Sequence, residues 1–512
     1  MVARFGRIAL LAAGLVIANG IWSCAPAAEP GSGPLLKVGF AERDITPELG
    51  MEAPGGYGKA YHQVFHDACK VRAAVFDDGK TRVALVGIDA LAIRRPSVEA
   101  ARKAIQARCG IPPQAILIGA SHSHSSGPTC MILPGEYDHG SPLVRKLAYE
   151  QSSCADTRYL KHVEKQIAEA VCAANDSRAE ALCGAGNGLE DKAAFNRRFR
   201  MKNGLSYTHP GQRNPDIIGP AGPIDPNVGV IGVWNKEGKC TGCVVNYCCH
   251  GTTGPSGISA NWIYHLEKTI RGAMGQDAVV VFLQGASGDV TQVDNLSPYA
   301  HPGQDRWGEI VGGRVGAEAV KVLVGMARGT LLPLNAGTEI LHVQRRIPKP
   351  ERVKKCLEIV QQPVEKVGHT DWTFAKEIVL LDAQLAQEKT KDVEVQAIQV
   401  GPVVALSNPA EYFCQFGLDI RAKSRFPVTF IVELANDCIG YVPTEEALGP
   451  HGGGYETRLS AYSNLEPTAG RQIADTCIRL AAQMTPGQIP TPPKAPPFGG
   501  AWTYGNIPPE ID

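Results

Sequence analysis

The chain has 512 residues, 51 basic and 51 acidic side chains, 44% apolar residues and 15 cysteines. A formal net charge of zero with no basic block excludes the electropositive footprint of a nucleic-acid-binding protein, and ordinary apolar and charged content excludes wholesale disorder. The length allows one large domain or two to three ordinary ones, and the cysteines are too sparse for a disulfide scaffold yet numerous for a cytosolic enzyme.

At the N-terminus, Arg4 and Arg7 precede the uncharged apolar stretch 8–18, and Ala25-Pro26-Ala27 offers small residues for cleavage. This is the pattern of a secretory signal peptide over residues 1–27. A secreted or periplasmic location follows. The apolar run is shorter than the roughly 20 residues a membrane span needs, so the mature chain is expected to have no transmembrane span and at most transient contact with a membrane surface. Trp22 beside Cys24 disfavours lipoprotein anchoring at that cysteine. Cleavage removes two arginines and Cys24, which leaves 14 of the 15 cysteines in a compartment that permits some of them to pair.

From Leu35 onward apolar strands alternate with helices. Thr81–Ile88 reads as a buried strand. Ser97–Arg108 reads as a helix, opened by Pro96, with Val98, Ala101 and Ile105 on one face and Gly110 as its stop. Ala115–Gly119 is the next strand and runs into Ser121-His122-Ser123-His124. Val228–Trp234 and Cys243–Cys249 read as strands joined by a turn at Lys236-Glu237-Gly238, the second ending in His250. Cys240-Thr241-Gly242-Cys243 falls at that turn; with no second such motif to complete a zinc ribbon, it reads as a structural pair or free thiols.

Asn261–Ala273 carries Trp262, Leu266 and Ile270 on one helical face, and Ala278–Leu283 is a buried strand opening into the Gly-rich loop Gln284–Asp289. Helices are expected at 307–326, 370–388 and 469–484, and strands at 393–406 and 427–434. The alternation implies an α/β architecture, a mixed sheet core flanked by helices, in one large domain over residues 28–485. Residues 486–512 carry eight prolines and read as an extended tail.

Polar clusters follow three of the apolar strands, at Ser121–Pro128, Asn246–Thr253 and Gln284–Asn295. In open α/β sheets ligands bind beyond the carboxyl ends of strands. His122, His124 and His250 all lie at such ends, and three imidazoles, or two with a carboxylate, make a catalytic zinc arrangement. Spacing alone does not name the remaining ligand.

Val38-Gly39-Phe40 through Asp44-Ile45-Thr46-Pro47, the His122-Ser123-His124 segment, Asn196-Arg197, Asn246 through His250, Gly288-Asp289-Val290-Thr291, Pro409-Ala410-Glu411, Gly440-Tyr441 and Tyr455-Glu456 occur in the order found in the neutral/alkaline, non-lysosomal ceramidases. The chain resembles the catalytic domain of that family from about residue 35 to 485, and the Pro-rich tail stands where the family has a C-terminal β-sandwich. The resemblance implies a zinc-dependent amidohydrolase that uses metal-activated water to cleave an N-acyl amide, of the ceramide type, into a fatty acid and a sphingoid base. It implies one zinc ion held by His122, His250, Glu411 and Tyr441, with His124, Arg197 and Tyr455 at the scissile amide. Thr291 stands where the family has a serine assigned a catalytic role. Two other readings remain open at this level: a zinc hydrolase of another amide or ester, such as an acylated glycan, and an inactive binding protein that captures a lipid or glycan.

Overall fold

In the computed structural model, which describes residues 36–254 and 257–512, the apolar runs become strands that assemble into three principal sheets. The signal-peptide segment and Cys24 lie outside the described residues. The first sheet orders its strands Ile116–Ala120, Arg82–Ile88, Lys70–Asp77, Lys37–Asp44 and Ala179–Glu180. The second orders Val279–Gln284, Cys240–Tyr247, Asn227–Trp234 and Leu182–Leu189, and the third Leu334–Gln344, Thr390–Val400, Val403–Ser407 and Val428–Val432.

Each sheet pairs antiparallel except at one edge, where a parallel strand is added: Ile116–Ala120 on Arg82–Ile88, Val279–Gln284 on Cys240–Tyr247, and Val428–Val432 on Val403–Ser407. A parallel partner needs a crossover, supplied in the first two sheets by the helices Arg95–Cys109 and Trp262–Met274. Pro96 sits in the first turn of the former and Gly110 caps it at φ 69°, as the sequence signals require. The architecture is the expected α/β class.

The three parallel edges share one core. Val86, Ile118, Leu283 and Val432 belong to a single buried apolar cluster. The sheets approach so closely at Gly87 that a Cβ there would lie 2.3 Å from the Phe282 carbonyl oxygen. The stretch 393–406 is two strands rather than the single one expected, turning at Gly401-Pro402 so that Val400 faces Val403. Gly401 takes φ 58° there and Pro402 has no amide hydrogen to give to a ladder.

The 14 described cysteines are all free thiols, so the expected pairing is not met, although Cys109 and Cys172 approach to 3.0 Å between sulfurs. Cys240 and Cys243 lie on the strand after the turn, both buried, and burial pushes both thiols up, which makes them packing groups rather than nucleophiles. Among the described residues no helix is long and apolar enough to cross a membrane. The compact unit runs to Pro492, and residues 493–512 contain no helix or strand.

Buried charge is concentrated where the first sheet meets the helix Trp262–Met274. Arg72 is 2% exposed; it donates to Asp89 Oδ2 at 2.8 Å and pairs with Glu267. Removing the cation leaves Asp89 buried without a charge partner, while Glu267 keeps Lys70 and Arg271. Arg72→Met is therefore expected to destabilise the fold by about 3–5 kcal/mol, measured by urea unfolding.

Candidate metal centre

Five strands deliver their following residues to one place. His122 follows Ile116–Ala120, His250 follows Cys240–Tyr247, Ser287 follows Val279–Gln284, Glu411 follows Val403–Ser407, and Glu433 follows Val428–Val432. The loops are stitched together by backbone: His124 N–H donates to the Gly251 carbonyl at 3.0 Å, His250 N–H to Val290 and Glu433 N–H to Gln284. His122 adopts φ 61°, a conformation few non-glycine residues accept, and Gly251 passes so near that a Cβ would meet the His122 carbonyl oxygen at 2.2 Å.

The imidazoles are oriented by carbonyl oxygens, which only accept. His122 Nδ1–H donates to Leu91 O and His250 Nδ1–H to Ser287 O, each at 2.9 Å. Both Nε2 atoms then carry lone pairs, and they face each other across 2.8 Å. His124 Nε2 lies 3.3 Å from His122 Nε2. The ring nitrogens of the three histidines form a cluster able to hold a metal ion.

Glu411 completes the arrangement. Its Oε1 accepts from the Tyr462 hydroxyl at 2.7 Å, whereas Oε2 is buried with no hydrogen-bond partner and sits 3.2 Å from His122 Nε2 and 3.5 Å from His250 Nε2. Two opposed lone pairs and an orphan carboxylate oxygen repel one another unless a cation lies between them, a metal ion or the proton that Glu411 favours on His122. Their separations of 2.8, 3.2 and 3.5 Å bracket the edge of about 3.3 Å that a tetrahedron with metal–ligand bonds of ~2.0–2.1 Å requires. The donor set of imidazoles and a carboxylate, with Nδ1 anchored to backbone, fits a zinc-type ion.

Titration behaviour follows from the same contacts. Burial opposes ionisation of Glu411, but His122, the Tyr462 hydroxyl and Arg197 outweigh it and hold the carboxyl down at about 2. Burial and the neighbouring His122 push His124 down to about 3, and burial with His122, Arg197 and His124 lowers His250. At neutral pH His124 and His250 are uncharged bases.

Arg197 binds the opposite wall. It is 4% exposed; its Nη2 donates to the Tyr441 and Tyr455 hydroxyls, both at 3.1 Å, and to Gly288 O, while Nε donates to Glu456 at 2.8 Å. The two phenol oxygens lie 2.5 Å apart. Tyr441, Tyr455, His122, His124 and Glu411 border one cavity of ≈ 40 Å³, room for roughly three water-sized groups.

No protein-family model matches the sequence, and no curated protein matches it either. Among solved structures, the chain is similar to the neutral ceramidase of Pseudomonas aeruginosa, with a TM-score of 0.64 and 19% identity over 90% of this chain and 76% of that one. The chain has the neutral ceramidase fold. A structure described as a ceramidase complexed with C2 superposes with a TM-score of 0.63 and 18% identity, covering 89% of this chain and 77% of that one.

On this ceramidase fold, the residues singled out from the sequence divide unequally. His122, His124, His250, Glu411, Arg197, Tyr441 and Tyr455 come together in one hydrogen-bonded constellation. Thr291 does not border the cavity; it pairs with Phe195 in a short strand behind His250, and its hydroxyl accepts from Val293 N–H at 3.3 Å. Sequence reasoning missed Tyr462, which orients Glu411, and the role of Glu456, which anchors Arg197. Tyr462 is a lone tyrosine in a polar loop and carries no local signal.

Glu433 was missed as well. It is fully buried, accepts from Ser287 Oγ at 2.5 Å and from Tyr412 N–H at 2.7 Å, and burial, with Glu411 adding, pushes its carboxyl up to about 8 against the pull of His122 and Ser287. A folded value above the unfolded one of about 4.5 means the folded state holds the proton more tightly. The contribution is full below about 4.5 and is lost as pH rises through about 8. The metal-stripped protein is expected to lose stability across that window at up to about 1.4 kcal/mol per pH unit. Urea unfolding at pH 5 to 9 measures the slope, and Glu433→Gln should flatten it.

Proposed function

We propose that the protein is a zinc-dependent amidohydrolase that cleaves the amide bond of an N-acyl amine. One observation carries the reading: the buried, unpartnered Oε2 of Glu411 beside two backbone-anchored imidazole lone pairs. His122, His250 and Glu411 would hold one zinc ion, with Tyr441 as the fourth ligand that the ceramidase resemblance implies. Bound there, zinc supplies a Lewis acid that polarises the scissile carbonyl and lowers the pKa of water toward about 7.

The remaining chemistry belongs to side chains. His124, uncharged at neutral pH, takes a proton at Nε2 and returns it to the departing nitrogen. The Tyr455 hydroxyl, held by Arg197, presents a preorganised donor for the oxygen that gains charge, in a site where burial keeps the interaction strong. Similarity to neutral ceramidase supports an N-acyl amide as the substrate. The Arg4/Arg7, apolar, Ala25-Pro26-Ala27 pattern supports export of the protein.

Elemental analysis of the purified chain, paired with hydrolysis of N-octanoyl amines before and after chelation, tests the reading. About one zinc per chain and chelator-sensitive release of octanoate are expected. A folded protein that retains no zinc and hydrolyses no N-acyl amine even with zinc added would overturn it.

A further inference from the structure

Resting on the amidohydrolase reading, the two sides of the metal centre differ in a way that bears on the amine half of the substrate. On one side, His124 borders an open groove lined by Ala53, Tyr61 and Val64 together with the polar His62, Gln63 and Ser125, and Tyr61 and Val64 are about half exposed. The apolar part of that wall suits an acyl chain. On the other side, Tyr57, Met131 and Tyr462 line both the small cavity at His122 and an adjoining second cavity of ≈ 110 Å³. At ~15 Å³ per water-sized group it has room for roughly seven.

This second cavity is built from charge. Arg94, Arg345 and Lys391 face it together with Glu136, Glu377 and Glu388. The charges are spent on each other and on the wall: Arg94 donates to Glu136 at 3.1 Å, Arg345 to Glu388 at 2.8 Å, Lys391 pairs with Asp437 at 3.1 Å, and Glu377 with Lys376 at 3.4 Å. With every charge paired, the cavity selects neither a cation nor a carboxylate. What it leaves over is a mixture of unpartnered donors and acceptors. Ser153, 1% exposed, has no partner for its Oγ, Arg94 and Arg345 have no hydrogen-bond acceptor for their Nε–H groups, and the Gln384 Oε1 acceptor is likewise unpartnered.

A buried hydroxyl, donors and an acceptor left open around one cavity are satisfied by a group that both donates and accepts, and left unsatisfied by an alkyl chain. We propose that this cavity receives the amine half of the substrate and that this half is a neutral polyhydroxyl group, making the substrate class N-acyl amino sugars rather than N-acyl long-chain bases. In the reaction, water adds its oxygen to the acyl carbon and the carbon–nitrogen bond breaks. The nitrogen takes up both protons of that water as it leaves, giving a fatty acid carboxylate and the ammonium form of the amino sugar.

The test compares N-octanoylglucosamine with N-octanoylsphingosine on the zinc-loaded full chain. A site built to hydrogen-bond hydroxyls discriminates strongly against partners that lack them, so kcat/KM is expected to favour the sugar amide by at least about 10²-fold. Gln384→Leu and Ser153→Ala are each expected to narrow that preference about ten-fold, through KM. Equal rates, or preference for the sphingosine amide, would overturn this inference and leave the amidohydrolase reading standing. If neither amide is cleaved, the amidohydrolase reading fails and this inference, which rests on it, is overturned with it.

Discussion

Replacing His250 with alanine is expected to reduce bound zinc to below about a tenth of the wild-type content and kcat/KM by about 10³-fold, equivalent to about 4 kcal/mol. The size of the effect follows from the geometry. His250 Nε2 is 2.8 Å from His122 Nε2 and 3.5 Å from Glu411 Oε2, so its loss removes one of the two imidazole ligands and leaves His122 and Glu411 with only the proposed Tyr441 to complete the set. Stability should fall less, by about 1–3 kcal/mol, because the main cost is the Ser287 carbonyl left without its Nδ1–H partner. Zinc content and thermal unfolding read the two effects separately. A variant that keeps its zinc and more than about a tenth of its activity would remove His250 from the ligand set.

The second large effect is expected at Arg197, where structure and catalysis meet. Arg197→Met removes the donor to both tyrosine hydroxyls and leaves Glu456, which has no exposed surface, as an unpaired buried charge. A loss of about 3–5 kcal/mol in stability is expected from that charge alone. The double variant Arg197→Met with Glu456→Gln should recover most of the stability while kcat remains depressed by about 10²–10³-fold, since the Tyr455 and Tyr441 hydroxyls lose the group that positions them. Arg197→Lys is not a conservative control, because one ammonium cannot span Glu456, Gly288 O and two phenols as the planar fork does. Urea unfolding and steady-state rates on the three variants separate the roles. Recovery of activity together with stability would make Arg197 purely structural.

The strand-end histidines were legible because their signal is local. An apolar run of five to eight residues followed at once by His122-Ser123-His124, or by His250, says that an imidazole stands at the carboxyl end of a buried strand, and the sheets place both there. Glu411 and Tyr441 have no such flank; only their order within a family-like set of motifs marked them. Tyr462 and Glu456 were illegible, because each acts through a partner remote in sequence: Tyr462 on Glu411 across 51 residues, and Glu456 on Arg197 across 259. The break at Gly401-Pro402 was written in the chain but obscured by the continuous apolar run on either side.

Local chemistry thus decided the class of the protein. Alternating buried strands and helices made it α/β, and the zero net charge set it apart from nucleic-acid binders. What the linear chain left open was which strand ends meet. That was decided by three sheets, each carrying a parallel strand at one edge, whose edges share a single core. His122 and His250, 128 residues apart, end up with lone pairs opposed, beside a carboxylate oxygen with no partner. Periodicity determines which face of an element is buried; the packing of one element against another determines which polar atoms are left facing each other unpaired. The 15 cysteines prominent in the composition proved to be packing where they are described, and the candidate metal centre is built on three of the 13 histidines.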